Sequence, residues 1–320
     1  MRLVRDDDAS PLAPLPPLPS SAPLPPLELP QPQLPASAIP VLDHLGDLQD
    51  EIQGLHSELN MLRRRDETLR FFMHRLDEEL RLAARIQQDF LPKVLPQIGR
   101  VHFHTLFRPA GYVSGDLYDV MRLDETHVGF FICDAVGHGM PAALLTMFIK
   151  RALVTKEVFE NGYRLLDPGE ALNRLNQALV DQNLSQATYA TALYGIVNTE
   201  THQVRFAKGG HPSPALLYHD GRLEFPDVTG ALLGIFPDEQ FAVSQLQLSP
   251  GDRLFVYSDG IEVAFCGDDL GNCERWQNEL HRRQQMSTEA LLLDLSTELD
   301  SQSGSLQPKD DLTIIALEIK

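Results

Sequence analysis

Residues 128–139 read VGFFICDAVGHG, an apolar run that ends in Asp134 and a glycine-rich turn. The run of β-branched and aromatic residues predicts a buried strand, and the turn after it predicts the start of a helix. A carboxylate delivered by a buried strand costs free energy unless a partner compensates its charge. We therefore expect Asp134 to face groups that neutralise it.

Three other stretches carry acidic residues at the ends of predicted strands. Residues 114–119 read SGDLYD, residues 254–260 read LFVYSDG, and residues 309–313 read KDDLT just before the last apolar run. One Asp-Gly pair is common in ordinary turns. Four such sites in one domain, without a matching basic set, indicate a site that collects carboxylates and needs cations.

The kinds of ligand at these sites favour particular metal ions. Oxygen ligands without clustered cysteines or a His-x-x-x-His pair favour Mg²⁺ or Mn²⁺ over zinc. Two such ions lower the pKa of a water molecule and clamp a phosphate, so the pattern predicts phosphoester hydrolysis. The sequence contains no Cys-x5-Arg loop, Gly-x-Ser-x-Gly elbow or Gly-x4-Gly-Lys phosphate loop.

Composition and charge narrow the classes of partner. The formal net charge is −18, with 43% hydrophobic and 22% charged residues. An acidic surface repels nucleic acid and anionic lipid, so we expect neither as a partner. The apolar runs are shorter than a membrane span, and the N-terminus lacks a signal pattern. The chain has three cysteines, Cys133, Cys266 and Cys273, and no C-x-x-C pair. An odd number of cysteines without a signal pattern favours a reducing compartment, so we expect a cytoplasmic protein.

Two segments precede the acidic sites. Residues 11–40 contain 12 prolines among 30 residues, so we expect residues 1–40 to form a disordered proline-rich tail. Residues 41–91 predict a long coiled-coil helix, because a 3-4 spacing with twelve apolar residues among fourteen positions favours a left-handed supercoil. The positions are Leu45, Leu48, Ile52, Leu55, Leu59, Leu62, Asp66, Leu69, Met73, Leu76, Leu80, Ala83, Gln87 and Phe90.

Asp66 and Gln87 interrupt the apolar row of this helix. A polar group in a dry seam is costly, which leaves two interpretations open. The two residues either allow local fraying and fix the register, or they mark a regulatory point where the helix bends or switches. We name both as candidate regulatory residues.

Pro92 and Pro96 end the helix, and residues 92–320 form the predicted catalytic domain. Grouped strands separated by helix pairs predict an α+β layered sandwich rather than a doubly wound sheet. We expect helices at 140–154, 168–183 and 288–299. The expected strands are 101–107, 117–122, 128–133, 190–197, 203–207, 215–217, 253–257 and 312–319.

Six motifs follow one another in this domain: RPA with SGDLYD (108–119), DAVGHGMPAAL (134–144), GGHPSPAL (209–216), LLGI (232–235), YSDGIE (257–262) and DDLT (310–313). In this order they resemble the SpoIIE/RsbU branch of the PPM (protein phosphatase 2C) superfamily. The resemblance covers residues 91–320. It implies a PPM-type β-sandwich flanked by helices, with two Mn²⁺ or Mg²⁺ ions. The implied activity is that of a protein-serine/threonine phosphatase, which hydrolyses a phosphoric monoester.

The resemblance also implies roles for individual residues. Asp134 would bridge both metal ions and the carbonyl of Ala135 would bind one of them. Asp116 would hold one ion, partly through water, while Asp259 and Asp310 would hold the other. Asp116 and Asp134 are thereby the implied catalytic residues. The implied supporting residues around these ligands are Asp119, Asp311, Gly115 and Gly260.

Four further positions bear on the question of catalysis. Arg108 either contacts the substrate phosphate or is an ordinary surface arginine. His138 and His211 fit structural roles in glycine turns. Val136 stands where the eukaryotic branch has a histidine, so the general acid has no match and water is expected to protonate the leaving oxygen.

The family usually acts on a phosphorylated STAS-domain anti-anti-sigma protein, so the resemblance implies that substrate and a role in sigma factor regulation. We expect a homodimer through the coiled coil, with activity controlled by the helix that enters the domain. Two alternatives remain: an inactive phosphatase-fold module that binds and sequesters a regulatory partner, and a coiled-coil scaffold. Retention of four separate aspartate sites argues against an inactive module.

Overall fold

A computed structural model describes residues 39–183, 188–266, 274–301 and 309–320, with side chains from residue 47 onward. The predicted proline-rich tail therefore lies almost entirely outside the described residues. The described chain divides into two units, with the division between Leu69 and Arg70. Within the described residues, no helix combines the length and the apolar character that a bilayer crossing requires.

Six α-helices and twelve β-strands form in the described residues. The helices are α1 (Ile39–Phe90), α2 (Met140–Ala152), α3 (Pro168–Asp181), α4 (Gly260–Cys266), α5 (Glu274–Arg282) and α6 (Thr288–Ser301). The strands are β1 (Val101–Arg108), β2 (Asp116–Arg122), β3 (His127–Ala135), β4 (Lys156–Phe159), β5 (Gly162–Leu165), β6 (Ala190–Asn198), β7 (Gln203–Gly209), β8 (Ala215–Leu217), β9 (Leu223–Glu224), β10 (Ser244–Gln247), β11 (Arg253–Tyr257) and β12 (Leu312–Ile319).

Two antiparallel five-stranded sheets form the centre of the second unit. Sheet A has the order β1-β12-β11-β8-β9, and sheet B has the order β10-β7-β6-β3-β2. The faces of the two sheets pack together through buried side chains such as Phe103 and Ile315 from sheet A and Phe130 and Ile132 from sheet B. Strands β4 and β5 form a separate hairpin.

Helices cover the outer face of each sheet. Helices α2 and α3 pack on sheet B around Phe131 and Leu172, while α4, α5 and α6 pack on sheet A around Phe255 and Trp276. Alternation along each strand produces both layers, because successive side chains point to opposite faces. The unit is therefore a helix–sheet–sheet–helix sandwich, which confirms the predicted α+β fold.

All eight strands predicted from the sequence are present, with ends that differ by two residues or fewer. The three predicted helices are present as α2, α3 and α6. Strands β4, β5, β9 and β10 and helices α4 and α5 were not predicted. The four missed strands are only two to four residues long, which is too short for alternation to stand out.

Helix α1 spans most of the segment in which a coiled coil was predicted. Large apolar side chains of the 3-4 row are exposed from Leu48 to Leu76. A partner helix in a coiled coil would cover such a row. Later in the row, Leu80 and Ala83 are half-buried and Gln87 is buried. The division between the two units at residues 69 and 70 differs from the predicted domain boundary at residues 91 and 92. The difference arises because the last turns of α1 belong to the second unit, in which Gln87 is buried.

Candidate metal centre

Asp116 and Asp134 are brought together by the pairing of β2 with β3. Asp116 is the first residue of β2 and is the direct cross-strand partner of Asp134. Gly115 makes this pairing possible, because a Cβ there would lie 3.2 Å from the carbonyl oxygens of both Ala135 and Gly137. The Gly115 carbonyl accepts the amide of Ala135 at 2.9 Å. Sheet B thus places two carboxyls and the Ala135 carbonyl at one end.

Sheet A supplies the other two predicted ligands. Asp259 lies two residues after β11, and Asp310 lies two residues before β12, which is the neighbouring antiparallel strand. Both side chains are exposed at the end of the sheet. Gly260 is required at this point, because a Cβ there would lie 1.9 Å from the carbonyl oxygen of Asp311.

Asp116 links the two sheets directly. Its Oδ2 accepts hydrogen bonds from Ser258 Oγ at 2.7 Å and from Thr313 Oγ1 at 2.6 Å. The Asp116 side chain is 1% exposed. Ser258 also accepts the amide of Thr313 at 3.0 Å, so one hydroxyl joins β11, β12 and the carboxyl. Ser258 and Thr313 both lie inside the motifs quoted above, but neither was predicted from the sequence as a site residue.

Asp311 organises the loop that leads to Asp116. Its two carboxylate oxygens accept the amides of Ala110 and Gly115, each at 2.6 Å. Charge-assisted hydrogen bonds to both ends of a loop fix its backbone. Asp311 therefore positions Gly115, the residue immediately before Asp116.

The carboxyls at this end of the sandwich have raised pKa values. Burial raises the pKa of Asp116 to about 7. Burial, followed by the charges of Asp116, Asp259 and Asp310, raises the pKa of Asp134 to about 9. The pKa values of Asp259 and Asp310 are also raised by desolvation, and the charge of Asp259 adds to the shift of Asp310. Mutual repulsion of this kind is relieved when a cation binds.

The donor set fits hard divalent cations, although it is not a closed ligand shell. Carboxylate and carbonyl oxygens are the groups that Mg²⁺ and Mn²⁺ prefer. Among the described residues, no three His, Cys, Asp or Glu side chains converge closely enough to form a complete metal site by themselves. The four carboxyls are neighbours that affect one another electrostatically, and bridging ions and water would complete their contacts.

Asp119 does not support the metal ligands, which corrects the prediction made from the sequence. It lies three residues after Asp116 on β2, and side chains at odd spacing point to opposite faces of a sheet. Its Oδ2 accepts a hydrogen bond from Lys150 Nζ at 2.7 Å, on the face that α2 covers. Asp119 therefore joins β2 to α2.

Arg108 is held by α6 in this structure. Its guanidinium donates to the carbonyl and hydroxyl oxygens of Ser296, each at 3.0 Å, and to Asp300 at 2.6 Å. These contacts do not support a role for Arg108 at the substrate phosphate. They fix the end of β1 against the helix layer of sheet A.

Gln87 connects helix α1 to the loop before Asp116. Its amide nitrogen donates to the Ser114 carbonyl at 2.7 Å, and its amide oxygen accepts the Ser114 amide at 2.8 Å. The side chain is 6% exposed. The structure thus corrects the view of Gln87 as a defect in a dimer seam, because its polar atoms are paired within the catalytic unit. Asp66, the other candidate regulatory residue, lies exposed on α1.

His211 and His138 lie in different environments. His211 is 1% exposed, and its Nδ1 lies 2.8 Å from Thr191 Oγ1. Burial lowers the pKa of His211 to about 3, so the ring is neutral near pH 7. His138 is exposed in the turn between Gly137 and Gly139, both of which have positive φ. Val136 donates its amide to the Tyr189 carbonyl and is half-buried.

Comparison with known proteins shows the family of the chain. A family model described as Stage II sporulation protein E (SpoIIE) matches residues 124–320. Phosphoserine phosphatase RsbU of Bacillus subtilis (strain 168) is 30% identical over 258 residues, which cover 79% of this chain and 74% of RsbU. Phosphoserine phosphatase RsbP of the same strain is 30% identical over 187 residues, which cover 57% of this chain and 45% of RsbP.

A solved structure shows the same fold. The PP2C domain of SiaA from Pseudomonas aeruginosa superposes with a TM-score of 0.65 at 23% sequence identity, covering 78% of this chain and 98% of that chain. The family match and the relative at 30% identity agree with the resemblance seen in the six motifs. The chain therefore belongs to the SpoIIE family of PP2C-type protein phosphatases.

Proposed function

We propose that the protein hydrolyses phosphoserine or phosphothreonine on a protein substrate, with a water molecule activated by two divalent metal ions. The observation that carries the proposal is that Asp116 and Asp134 from sheet B and Asp259 and Asp310 from sheet A lie close enough for their charges to raise one another's pKa values. Two Mn²⁺ or Mg²⁺ ions would lower the pKa of the attacking water and neutralise the charge of the phosphate.

Each aspartate has a distinct part in this proposal. Asp134 would serve both ions, and two observations support this role: it pairs with Asp116, and the charges of Asp259 and Asp310 raise its pKa. The Ala135 carbonyl and Asp116 would serve the ion nearer sheet B, and Asp259 and Asp310 the ion nearer sheet A. Both hydroxyl contacts of Asp116 fall on Oδ2, so its other oxygen is not committed to them.

We further propose that the substrate is a phosphorylated STAS-domain regulator, which would place the protein in a sigma factor partner-switching system. The similarity to RsbU and RsbP supports this choice. Since Val136 offers no acidic proton, water would protonate the leaving serine or threonine oxygen.

Control of the activity is proposed to pass through helix α1. The exposed apolar row between Leu48 and Leu76 supports a homodimeric coiled coil. At the other end of the helix, the two hydrogen bonds of Gln87 hold the backbone of Ser114, two residues before Asp116. A shift of the helix would therefore move the loop that positions a metal ligand.

Phosphate release with matched variants tests the proposed activity. The substrates are p-nitrophenyl phosphate and a phosphorylated STAS-domain protein, each with Mn²⁺, Mg²⁺ or chelator. We expect metal-dependent hydrolysis by the wild type, loss of hydrolysis in Asp134→Asn, and retention of metal dependence in Asp119→Asn. Absence of metal-dependent hydrolysis of either substrate, with tight binding of the phosphoprotein, would instead support the sequestering module.

A further inference from the structure

A short loop near the aspartates presents two large apolar side chains to solvent. Ile235 is 42% exposed and Phe236 is 55% exposed. They follow Leu233, which exchanges two backbone hydrogen bonds with Ala190 at 3.0 and 3.1 Å. Ala190 is in turn the cross-strand partner of Ala135. With strands spaced about 4.8 Å apart, Leu233 lies roughly 10 Å from the residue that follows Asp134.

The loop is held rigidly by a buried asparagine. Asn176 on α3 is fully buried; its Oδ1 accepts the amide of Gly234, and its Nδ2 donates to the carbonyl of Phe236, both at 2.7 Å. These contacts fix the backbone on both sides of Ile235. Gly234 permits the fit, because its φ is +90° and a Cβ there would lie 2.7 Å from the Thr188 carbonyl oxygen.

Backbone contacts through Tyr189 connect this loop to the turn that follows Asp134. Val136 donates its amide to Tyr189, and a Cβ at Gly234 would lie 3.5 Å from the Cα of Tyr189. Val136 and Tyr189 are each half-buried. The backbone that carries Ile235 and Phe236 therefore adjoins the segments that contain Tyr189 and Val136, and these four residues together define a strip. Preorganised apolar side chains bind partners at low entropic cost, which is typical of interaction sites.

We propose that this strip, Val136, Tyr189, Ile235 and Phe236, is the surface on which the phosphorylated STAS-domain substrate docks, through apolar side chains beside its phosphorylated residue. The inference rests on the proposed function and adds the surface that selects the substrate. The occupant follows from position, because a protein that brings a phosphate to Asp134 must cover the surface beside that residue. Ile235 and Phe236 would act as specificity residues without contact to the reacting atoms.

Steady-state kinetics on two substrates tests this docking surface. The variants are Ile235→Ser, Phe236→Ser and the double substitution, and the substrates are a phosphorylated STAS-domain protein and p-nitrophenyl phosphate. The matched control is Val158→Ser with Phe159→Ser, since these residues are 78% and 58% exposed on the β4–β5 hairpin. All four substituted side chains are exposed, so we expect every variant to fold as the wild type does. Thermal melting checks that the variants are folded.

In the double variant, the ratio of kcat/KM for the phosphoprotein to kcat/KM for p-nitrophenyl phosphate should fall roughly ten-fold or more, mainly through KM. The control ratio should stay within about two-fold of wild type. An unchanged ratio in the double variant, or an equal fall in the control, would overturn the docking surface. Failure of the wild type to hydrolyse either substrate with Mn²⁺ or Mg²⁺ would instead contradict the proposed function, and the inference with it.

Discussion

Asp134 is a half-buried carboxyl whose pKa is raised by burial and by the charges of other carboxyls, Asp116 first among them. Its pKa is about 9 in the folded protein and 3.8 ordinarily. Between these values the folded state binds more protons than the unfolded state, so this group lowers the stability of the metal-free protein as pH rises from about 4 to about 9. Function and stability thus conflict at this residue.

Removing the charge should therefore stabilise the metal-free protein. In chelator near pH 8, Asp134→Asn should raise the free energy of unfolding by at least ~1 kcal/mol, or roughly 2–4 °C in Tm. It should also flatten the decline of Tm between about pH 5 and pH 8. Thermal melts across pH measure both effects. A Tm at or below that of wild type would contradict the electrostatic account, whereas Asp119→Asn, which breaks an ion pair, should not stabilise.

Gly260 tests the close contact between the ends of β11 and β12. A Cβ at this position would meet the backbone carbonyl of Asp311, which cannot move aside as a flexible side chain would. We expect Gly260→Ala to cost about 1–3 kcal/mol of stability. Gly162→Ala is the control, because nothing lies within 4 Å of its Cβ position. Chemical denaturation measures both, and equal effects would refute the contact.

Residue identities and contacts differ in how far a sequence can predict them. The placement of Asp134 at the end of β3 followed from an apolar run with a turn after it. The hydroxyls of Ser258 and Thr313 on Asp116 join residues 142 and 197 positions apart, which local pattern cannot detect. Asp119 is close in sequence to Asp116, but strand alternation turns its side chain to the opposite face, where it binds Lys150.

Helix α1 contains two kinds of surface in one 3-4 row. From Leu48 to Leu76 the large apolar side chains of the row are exposed, while Leu80 and Ala83 are half-buried and Gln87 is buried against Ser114. The sequence predicted the helix well, because the spacing is regular. It could not show where the row changes partner, because a helix face packed on a domain has almost the same period as a coiled-coil seam.

The Gln87 amide should couple this helix to metal binding. Gln87→Leu keeps the approximate size but removes both hydrogen bonds to Ser114. We expect the Mn²⁺ concentration for half-maximal activity to rise several-fold, since the loop before Asp116 loses its restraint. The control is Gln88→Leu at the exposed neighbouring position. Equal Mn²⁺ dependence in the two variants would show that the hydrogen bonds between Gln87 and Ser114 have no effect on metal binding.

At the scale of the whole molecule, assembly and activity are proposed to depend on each other. Leu55 and Leu62 belong to the exposed apolar row of α1. The double variant Leu55→Asp with Leu62→Asp should be monomeric, because it puts charged side chains into the apolar interface of the proposed coiled coil. Sedimentation measures the mass and phosphate release measures turnover. A monomer with wild-type turnover would reduce the coiled coil to a passive dimerisation element.

The two-sheet architecture explains why the site needs the whole fold. Asp116 and Asp134 come from one sheet, Asp259 and Asp310 from the other, and the shared apolar core between the sheets fixes their separation. The sequence predicted the strands and the acidic ends. The pairing of distant strands decides which aspartates lie at the same end of the sandwich, and only the structure gives this pairing.

Direct measurement of Mn²⁺ binding tests the central claim that these aspartates collect metal ions. Titration calorimetry and electron paramagnetic resonance would be applied to the full chain and to Asp134→Asn, without substrate. We predict two Mn²⁺ ions per wild-type chain, and the loss of at least one in the variant, because Asp134 is placed to serve both. Equal binding by the two proteins, or no specific Mn²⁺ binding by the wild type, would contradict the account.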